Sequence, residues 1–272
     1  MSVAQRFELR VPDGFDVTRP NVARICDYLL CGKDNFAADR AVAEELHAAG
    51  LEPRPLAFAN QAFLRRAVRT AAAAGVRQFL DLGCGFPAWP SVDEIAREVI
   101  SGASVCYVDH DPVVVAHSDA LLGTGDGVRA IRADLCDPES VVEAVTLTGC
   151  VDFSRPVAVL LTAVLHFISD DENPEAIIAR LRRRLSPGSY LVLAACTSDG
   201  ADPDLIAAAE SAYKATLTPF TARTRQQITR FFDGFEMLDP GVVCPTDWRP
   251  SACTDRTPLK TPYLCGMGQL RK

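Results

Sequence analysis

Phe79-Leu80-Asp81-Leu82-Gly83-Cys84-Gly85 is the stretch that decides the fold of this 272-residue chain. An apolar run ends in an acid, one more apolar residue and two glycines. A buried parallel strand stops in this way when backbone must come within contact distance of a ligand. Asp81 stands two residues before the first glycine, where a carboxylate suits an ammonium group and offers nothing to a pyrophosphate.

Outward from this turn the chain alternates strands with helices. Strands are expected at about 78–82, 104–109, 129–133, 156–162 and 189–195. The helices between them carry start signals. Ser91 with Glu94 makes a capping box, and Asn173-Pro174-Glu175 supplies a cap, a first-turn proline and a first-turn acid. Such alternation means a parallel sheet with helices on both faces. Upstream, Pro20 opens a helix with Val22, Ile25, Cys26 and Leu29 at i, i+3, i+4 and i+7, and Gly32 ends it. A second helix covers 37–49, and a third covers 56–74 after Pro53 and Pro55 as breakers. Downstream come helices near 203–215 and 224–232, then strands at 235–244 and 261–269. The prediction is an α/β fold with a Rossmann-like, doubly wound, mostly parallel seven-stranded sheet and a C-terminal antiparallel strand. Residues 1–75 form a helical N-terminal cap of the same domain, and 76–272 its core.

Composition bounds the function. Hydrophobic residues make up 48% and charged residues 23%, an ordinary globular balance. A net charge of −7 argues against an electrostatic grip on nucleic acid or on anionic lipid. The Arg182-Arg183-Arg184 cluster falls at a helix C-terminus, where cations suit the dipole. No stretch reaches the ~20 apolar residues of a membrane span. The segment from Met1 to Arg10 lacks a signal-peptide core. The ten cysteines (Cys26, Cys31, Cys84, Cys106, Cys136, Cys150, Cys196, Cys244, Cys253 and Cys265) are scattered, with no C-x-x-C pair, so reduced thiols in a cytoplasmic protein and no metal site are expected.

In an open parallel sheet, ligands sit beyond the carboxyl ends of the strands, where strand order reverses. After strand one come Asp81, Gly83, Cys84 and Gly85. Strand two ends in Asp109 and His110, with the carboxylate suited to a pair of ribose hydroxyls. Strand three leads to Asp134 and Leu135, suited to an adenine amine and ring face, and strand four to Thr162, Ala163 and, further on, His166. An ammonium, a ribose and an adenine together describe S-adenosylmethionine (SAM). NAD is the rival, since Gly83-Cys84-Gly85-Phe86-Pro87-Ala88 satisfies G-x-G-x-x-G/A. However, Pro87 occupies the turn and the capped helix starts only at Ser91, so the third small residue need not pack a helix on the strand.

These residues resemble class I SAM-dependent methyltransferases, and more closely the actinobacterial S-adenosyl methyltransferase family, once catalogued as a domain of unknown function. The resemblance runs through Arg24-Ile25-Cys26-Asp27-Tyr28-Leu29-Leu30, Gly32-Lys33-Asp34-Asn35-Phe36 and Asp39-Arg40. It continues through Asn60, Phe63, Arg66 and the glycine turn to Tyr107-Val108-Asp109 and Asp111-Pro112. Val164-Leu165-His166-Phe167, Arg223-Thr224, Phe231-Phe232-Asp233-Gly234 and Trp248-Arg249-Pro250 complete it. Two positions depart from the family pattern. Cys31 stands where a glycine is usual, and Ala88 where a threonine usually follows Pro87. The resemblance implies a fold, SAM as cofactor and S-adenosylhomocysteine (SAH) as product, and no defined substrate.

Methyl transfer is an in-line displacement that rewards alignment of the acceptor, worth roughly 7–11 kcal/mol, and needs a base only when the nucleophile starts protonated. The segment from Asp27 to Arg40 is the candidate cover over the cofactor, with Tyr28, Lys33, Asn35 and Phe36 crowded into it; a plain helix–helix turn is the alternative. Arg66 could pair with the methionine carboxylate or lie on the surface. His166 could take a proton from a hydroxyl or amine acceptor, or pack its loop. Tyr213, Phe220 and Arg223 could wall the acceptor pocket, although core packing explains Phe220 equally well. The expected function is a SAM-dependent methyltransferase acting on a small molecule. A SAM- or SAH-binding module without transfer is the alternative, and an NAD-dependent oxidoreductase the more distant one.

Overall fold

The structure is a computed structural model and describes residues 16–122, 127–216, 218–251, 259 and 261–271. The Met1 to Arg10 segment and Cys253 lie outside the described residues. Three helices come first: α1 (Val22–Leu29), α2 (Ala37–Ala48) and α3 (Pro53–Ala73). Strands and helices then alternate: β1 (Gln78–Leu82), α4 (Val92–Arg97), β2 (Ser104–Asp109), α5 (Pro112–Leu122), β3 (Val128–Arg132) and α6 (Pro138–Thr148). After them come β4 (Val157–Thr162), α7 (Pro174–Arg182), β5 (Tyr190–Cys196), α8 (Pro203–Tyr213) and α9 (Arg225–Arg230). The chain closes with β6 (Glu236–Met237) and β7 (Tyr263–Gln269).

The strands form one seven-stranded sheet in the order β3-β2-β1-β4-β5-β7-β6. β1 pairs in parallel with both β2 and β4, so strand order reverses beside it and a crevice opens beyond the strand ends. β7 runs antiparallel between β5 and the short edge strand β6. Side chains alternate faces with period two. Phe79, Val105, Leu160 and Val192 meet α3 and α4 on one face, while Leu80, Cys106, Val159 and Leu193 meet α6, α7 and α9 on the other. A third cluster sits at the strand ends, where Ile25 of α1 and Val42 and Leu46 of α2 pack against Ala209 and Ala212 of α8.

β1 and β2 fall where the sequence puts them, and β3, β4 and β5 within one residue. The Ser91 capping box and the Asn173 cap both form. Three expectations need correction. Pro20 precedes the first helix, and Asn21 is its cap, accepting from the Arg24 N–H at 3.2 Å. Pro53 and Pro55 lie inside the first turn of α3, where missing N–H groups cost nothing because those donors have no intrahelical partner. The strand expected at 235–244 is two residues long. Asp239-Pro240-Gly241 is turn chemistry, and the Gly241 N–H donates to Leu238 O at 2.8 Å before Val243 pairs again with Cys265. Among the described residues every cysteine is free, and no helix is long and apolar enough to cross a membrane.

Candidate cofactor and acceptor site

The glycine turn is folded by its own backbone. Gly83 has φ +67°, and the N–H groups of Gly83 and Cys84 both donate to Val108 O, at 2.8 and 3.2 Å. A Cβ on Gly83 would lie 2.4 Å from Val164 Cγ2, so the loop after β4 presses on the turn and only glycine fits. The Gly85 N–H donates to Asp109 Oδ2 at 3.0 Å, while Asp109 Oδ1 accepts from the Asp111 N–H at 3.0 Å. One carboxylate thus ties the turn after β1 to the loop after β2.

Asp81 and Asp109 are both buried. Burial, reinforced by the Asp109 charge, pushes the Asp81 carboxyl up to about 7. Burial also raises Asp109 against the pull of its two backbone donors. Two carboxylates held in this way at adjacent strand ends are short of positive charge, and a cationic ligand relieves both. The Cys84 thiol is raised well above its usual range by burial and by the same two acids, and stays protonated.

These residues line a cavity of about 500 Å³ at the switch point. Of the sequence-predicted cofactor set, Asp81, Gly83, Cys84, Gly85, Asp109, His110, Thr162 and Lys33 stand in its wall. His110 places Nδ1 3.6 Å from Asp109 Oδ1. The other five lie outside that wall. The Asp134 carboxylate accepts from the Cys136 N–H at 2.9 Å, and Leu135 packs into the core beneath α6. Tyr28 donates to Glu44 at 2.8 Å on the outer side of the cap. Asn35 donates to Asp27 Oδ2 at 2.8 Å and to Gly32 O at 3.1 Å. Arg66 donates to the carbonyls of Trp248 and Pro245, which ties α3 to the Trp-Arg-Pro loop.

The cap is anchored by two acids. Asp39, fully buried, accepts from Arg24 Nε at 2.9 Å and from the N–H groups of Asn21 and Phe36 at 2.9 and 2.8 Å. Asn21 Nδ2 in turn donates to Asp111 Oδ2 at 2.7 Å and joins α1 to the loop after β2. Asp27 accepts from the Asp34 N–H and from Asn35, and a Cβ on Gly32 would collide with it at 1.8 Å. Cys31, standing where the family usually has glycine, takes φ +64°. The usual glycine there is explained by this left-handed turn.

A second cavity of about 100 Å³ adjoins the first, and Cys26, Asn60, Gln61, Ala163 and Phe167 belong to both walls. Tyr213 and Phe220 line it, stacked with ring centroids 5.4 Å apart. Phe36 and Arg223 lie outside it. Phe36 sits under the Arg24 guanidinium at 5.4 Å. Arg223, buried, donates to Leu165 O at 2.6 Å, Ile168 O at 2.7 Å and Asp170 Oδ1 at 2.8 Å, which pins the loop that carries His166. His166 lines this second cavity, packed on Phe167, Phe220 and Tyr263. Burial, and then the Arg223 charge, lower its pKa to about 3, so the imidazole is neutral at physiological pH.

Sequence reasoning gave Asn60 no role in the site. Asn60 had a signal, as the one polar residue in the α3 series Leu56, Asn60, Leu64 at i, i+4 and i+8. The φ of +63° at Ala163 is imposed by the loop and by its N–H donating to Ala194 O at 2.9 Å.

An open parallel sheet with a glycine turn and two strand-end acids at its switch point defines a Rossmann-like, nucleotide-cofactor-binding fold. The turn does not run directly into a helix, since α4 begins only at Val92. The chain belongs to the S-adenosyl methyltransferase family, whose model matches residues 9–271, and its cofactor is SAM. It is similar to a proposed methyltransferase of Thermobifida fusca YX, with 36% identity, 97% of this chain and 100% of that one covered, and a TM-score of 0.87. It is also similar to a DUF574 family protein of Streptomyces avermitilis MA-4680, with 34% identity, 94% and 99% covered, and a TM-score of 0.87. A plantazolicin methyltransferase shares the fold at 10% identity, with 92% and 96% covered and a TM-score of 0.54. No curated protein matches.

Proposed function

We propose that this protein is an enzyme that transfers the methyl group of SAM to a small-molecule acceptor. The observation that supports this most is the pair of buried, charge-starved carboxylates flanking the glycine turn in a cavity large enough for a drug-sized ligand. Asp81 would hold the ammonium group and Asp109 the ribose hydroxyls. Gly83 and Gly85 bring backbone close, and Cys84, His110, Thr162 and Lys33 complete the wall. When bound, SAM supplies an electrophilic methyl on a sulfonium, which leaves as the neutral thioether of SAH. The cap within 1–75 and the core within 76–272 act as one unit, tied through Asn21, Asp111 and Asp39. They exclude water and align the acceptor from the second cavity. His166, neutral and buried there, orients an acceptor N–H or O–H.

The test has two arms. SAM and SAH should raise the melting temperature by mass action while NAD does not. Stabilisation by NAD alone would overturn the cofactor assignment. Once an acceptor is found, His166→Ala should lower turnover by ~10²-fold with SAM affinity intact. Undiminished turnover in that variant would make His166 a packing residue.

A further inference from the structure

We infer that the second cavity takes an uncharged, largely apolar acceptor that presents a single hydroxyl or amine N–H to Asn60 and His166. The assignment rests on reading the neighbouring cavity as the SAM site, and three observations carry it. First, the wall contains no Asp, Glu, Lys or Arg among the described residues. A carboxylate, phosphate or ammonium placed there would lose its hydration with nothing in return, so charged acceptor fragments are rejected. Second, apart from Gln61, Thr197 and Thr261 the remainder of the wall is mostly apolar, with Leu29, Leu46, Leu56, Ile206, Tyr213 and Phe220 among its residues, which favours an apolar or aromatic body. Third, Asn60 Oδ1 and His166 Nδ1 are buried without a hydrogen-bond partner. The two residues are 7% and 5% exposed, and both stand in this wall.

Native interiors rarely leave such atoms unmet, and where they do a missing ligand is a physical explanation. Asn60 is also part of the cofactor cavity wall, so a group bonded to it sits at the junction of the two spaces. At about 100 Å³ the space is of the order that admits a single ring in an apolar protein cavity. A larger acceptor would extend from there toward the cofactor.

The experiment titrates the full-length, SAH-saturated protein with phenol, toluene, benzoate and benzylamine, read by ligand-observed NMR. Phenol should bind about tenfold or more tightly than toluene, benzoate or benzylamine, the scale of one hydrogen bond to a buried unmet partner. Asn60→Leu should cut the preference for phenol over toluene severalfold, with His166 Nδ1 left as the remaining partner, while leaving toluene unchanged or improved. Ala209→Phe, or Ile206→Phe at a half-buried position if the first does not fold, should exclude both rings and leave SAH affinity intact. Benzoate or benzylamine matching phenol would overturn the inference. So would phenol failing to bind protein that binds SAH, or a phenol preference undiminished in Asn60→Leu. If SAH itself does not bind, the cofactor reading fails on its own, and the same four titrations on ligand-free protein still decide the chemistry of the cavity.

Discussion

Neutralising Asp81 tests the reading of the cofactor site most directly. Its carboxyl is raised from 3.8 to about 7, chiefly by burial and then by the Asp109 charge. That rise corresponds to about 4 kcal/mol between the protonated and ionised forms in the ligand-free protein. The folded pKa lies above the unfolded one, so this group's contribution to stability is full below about pH 4, declines as pH rises, and levels off above about pH 7. A ligand ammonium reverses the preference, because it binds the carboxylate and expels the proton. SAH affinity should therefore climb by up to about tenfold per pH unit between about pH 5.5 and about pH 7, and flatten where Asp81 is already ionised. The ligand's own amine sets the upper end of the usable window, near pH 8. Calorimetry in buffers of different ionisation enthalpy counts the released proton, close to one at the acid end. Asp81→Asn should bind SAH weakly with a flat pH profile over this range, and should be more stable than the parent at pH 7.5 when ligand-free. Asp109 also titrates upward, and the variant separates the two acids. A flat profile in the parent, or an unaltered slope in Asp81→Asn, would refute the assignment of the ammonium to Asp81.

Other outcomes follow from the same geometry. Gly83→Ala should cost about 2–5 kcal/mol in urea denaturation, combining a left-handed backbone with a Cβ pressed on Val164. Adding Val164→Ala should restore only the steric part, and additive losses in the double variant would contradict the clash. Asp109→Ala should weaken SAH binding by about 1–3 kcal/mol in titration calorimetry; unchanged affinity would move the ribose partner to Asp111. Asp39→Ala removes the counter-charge of the buried Arg24 guanidinium and the acceptor of the Asn21 and Phe36 N–H groups, so a loss of about 3–5 kcal/mol in chemical denaturation is expected.

Much of this was legible in the sequence because the informative residues answer to local rules. Strand β1 runs straight into its turn, so Asp81, Gly83, Cys84 and Gly85 could be placed by counting, and Asp109 by the next strand end. Resemblance to a family added the cap. What escaped were residues whose place depends on packing between distant segments. Arg66 looked free to meet a carboxylate, yet two carbonyls of a loop about 180 residues downstream hold it. Asp134 closes its own local turn, and no periodicity distinguishes that from reaching an adenine. Arg223 reads as a pocket residue and instead grips three partners beneath the His166 loop. The edge strand β6 was overextended because its apolar pattern continues through a Pro-Gly turn that interrupts the pairing.

The packing of α8 against α1 and α2 also bears on how the chain is made. Ile25, Leu29, Val42 and Leu46 emerge from the ribosome early, but Ala209 and Ala212, which cover that face, arrive after five strands have been synthesised. Until then the first two helices present an uncovered apolar surface while the cofactor half of the sheet is already assembling. A chain halted before residue 203 would keep its glycine turn and both strand-end acids, yet leave that surface exposed, and association between nascent chains is the hazard. The apolar face of the two cap helices is closed only when α8 arrives.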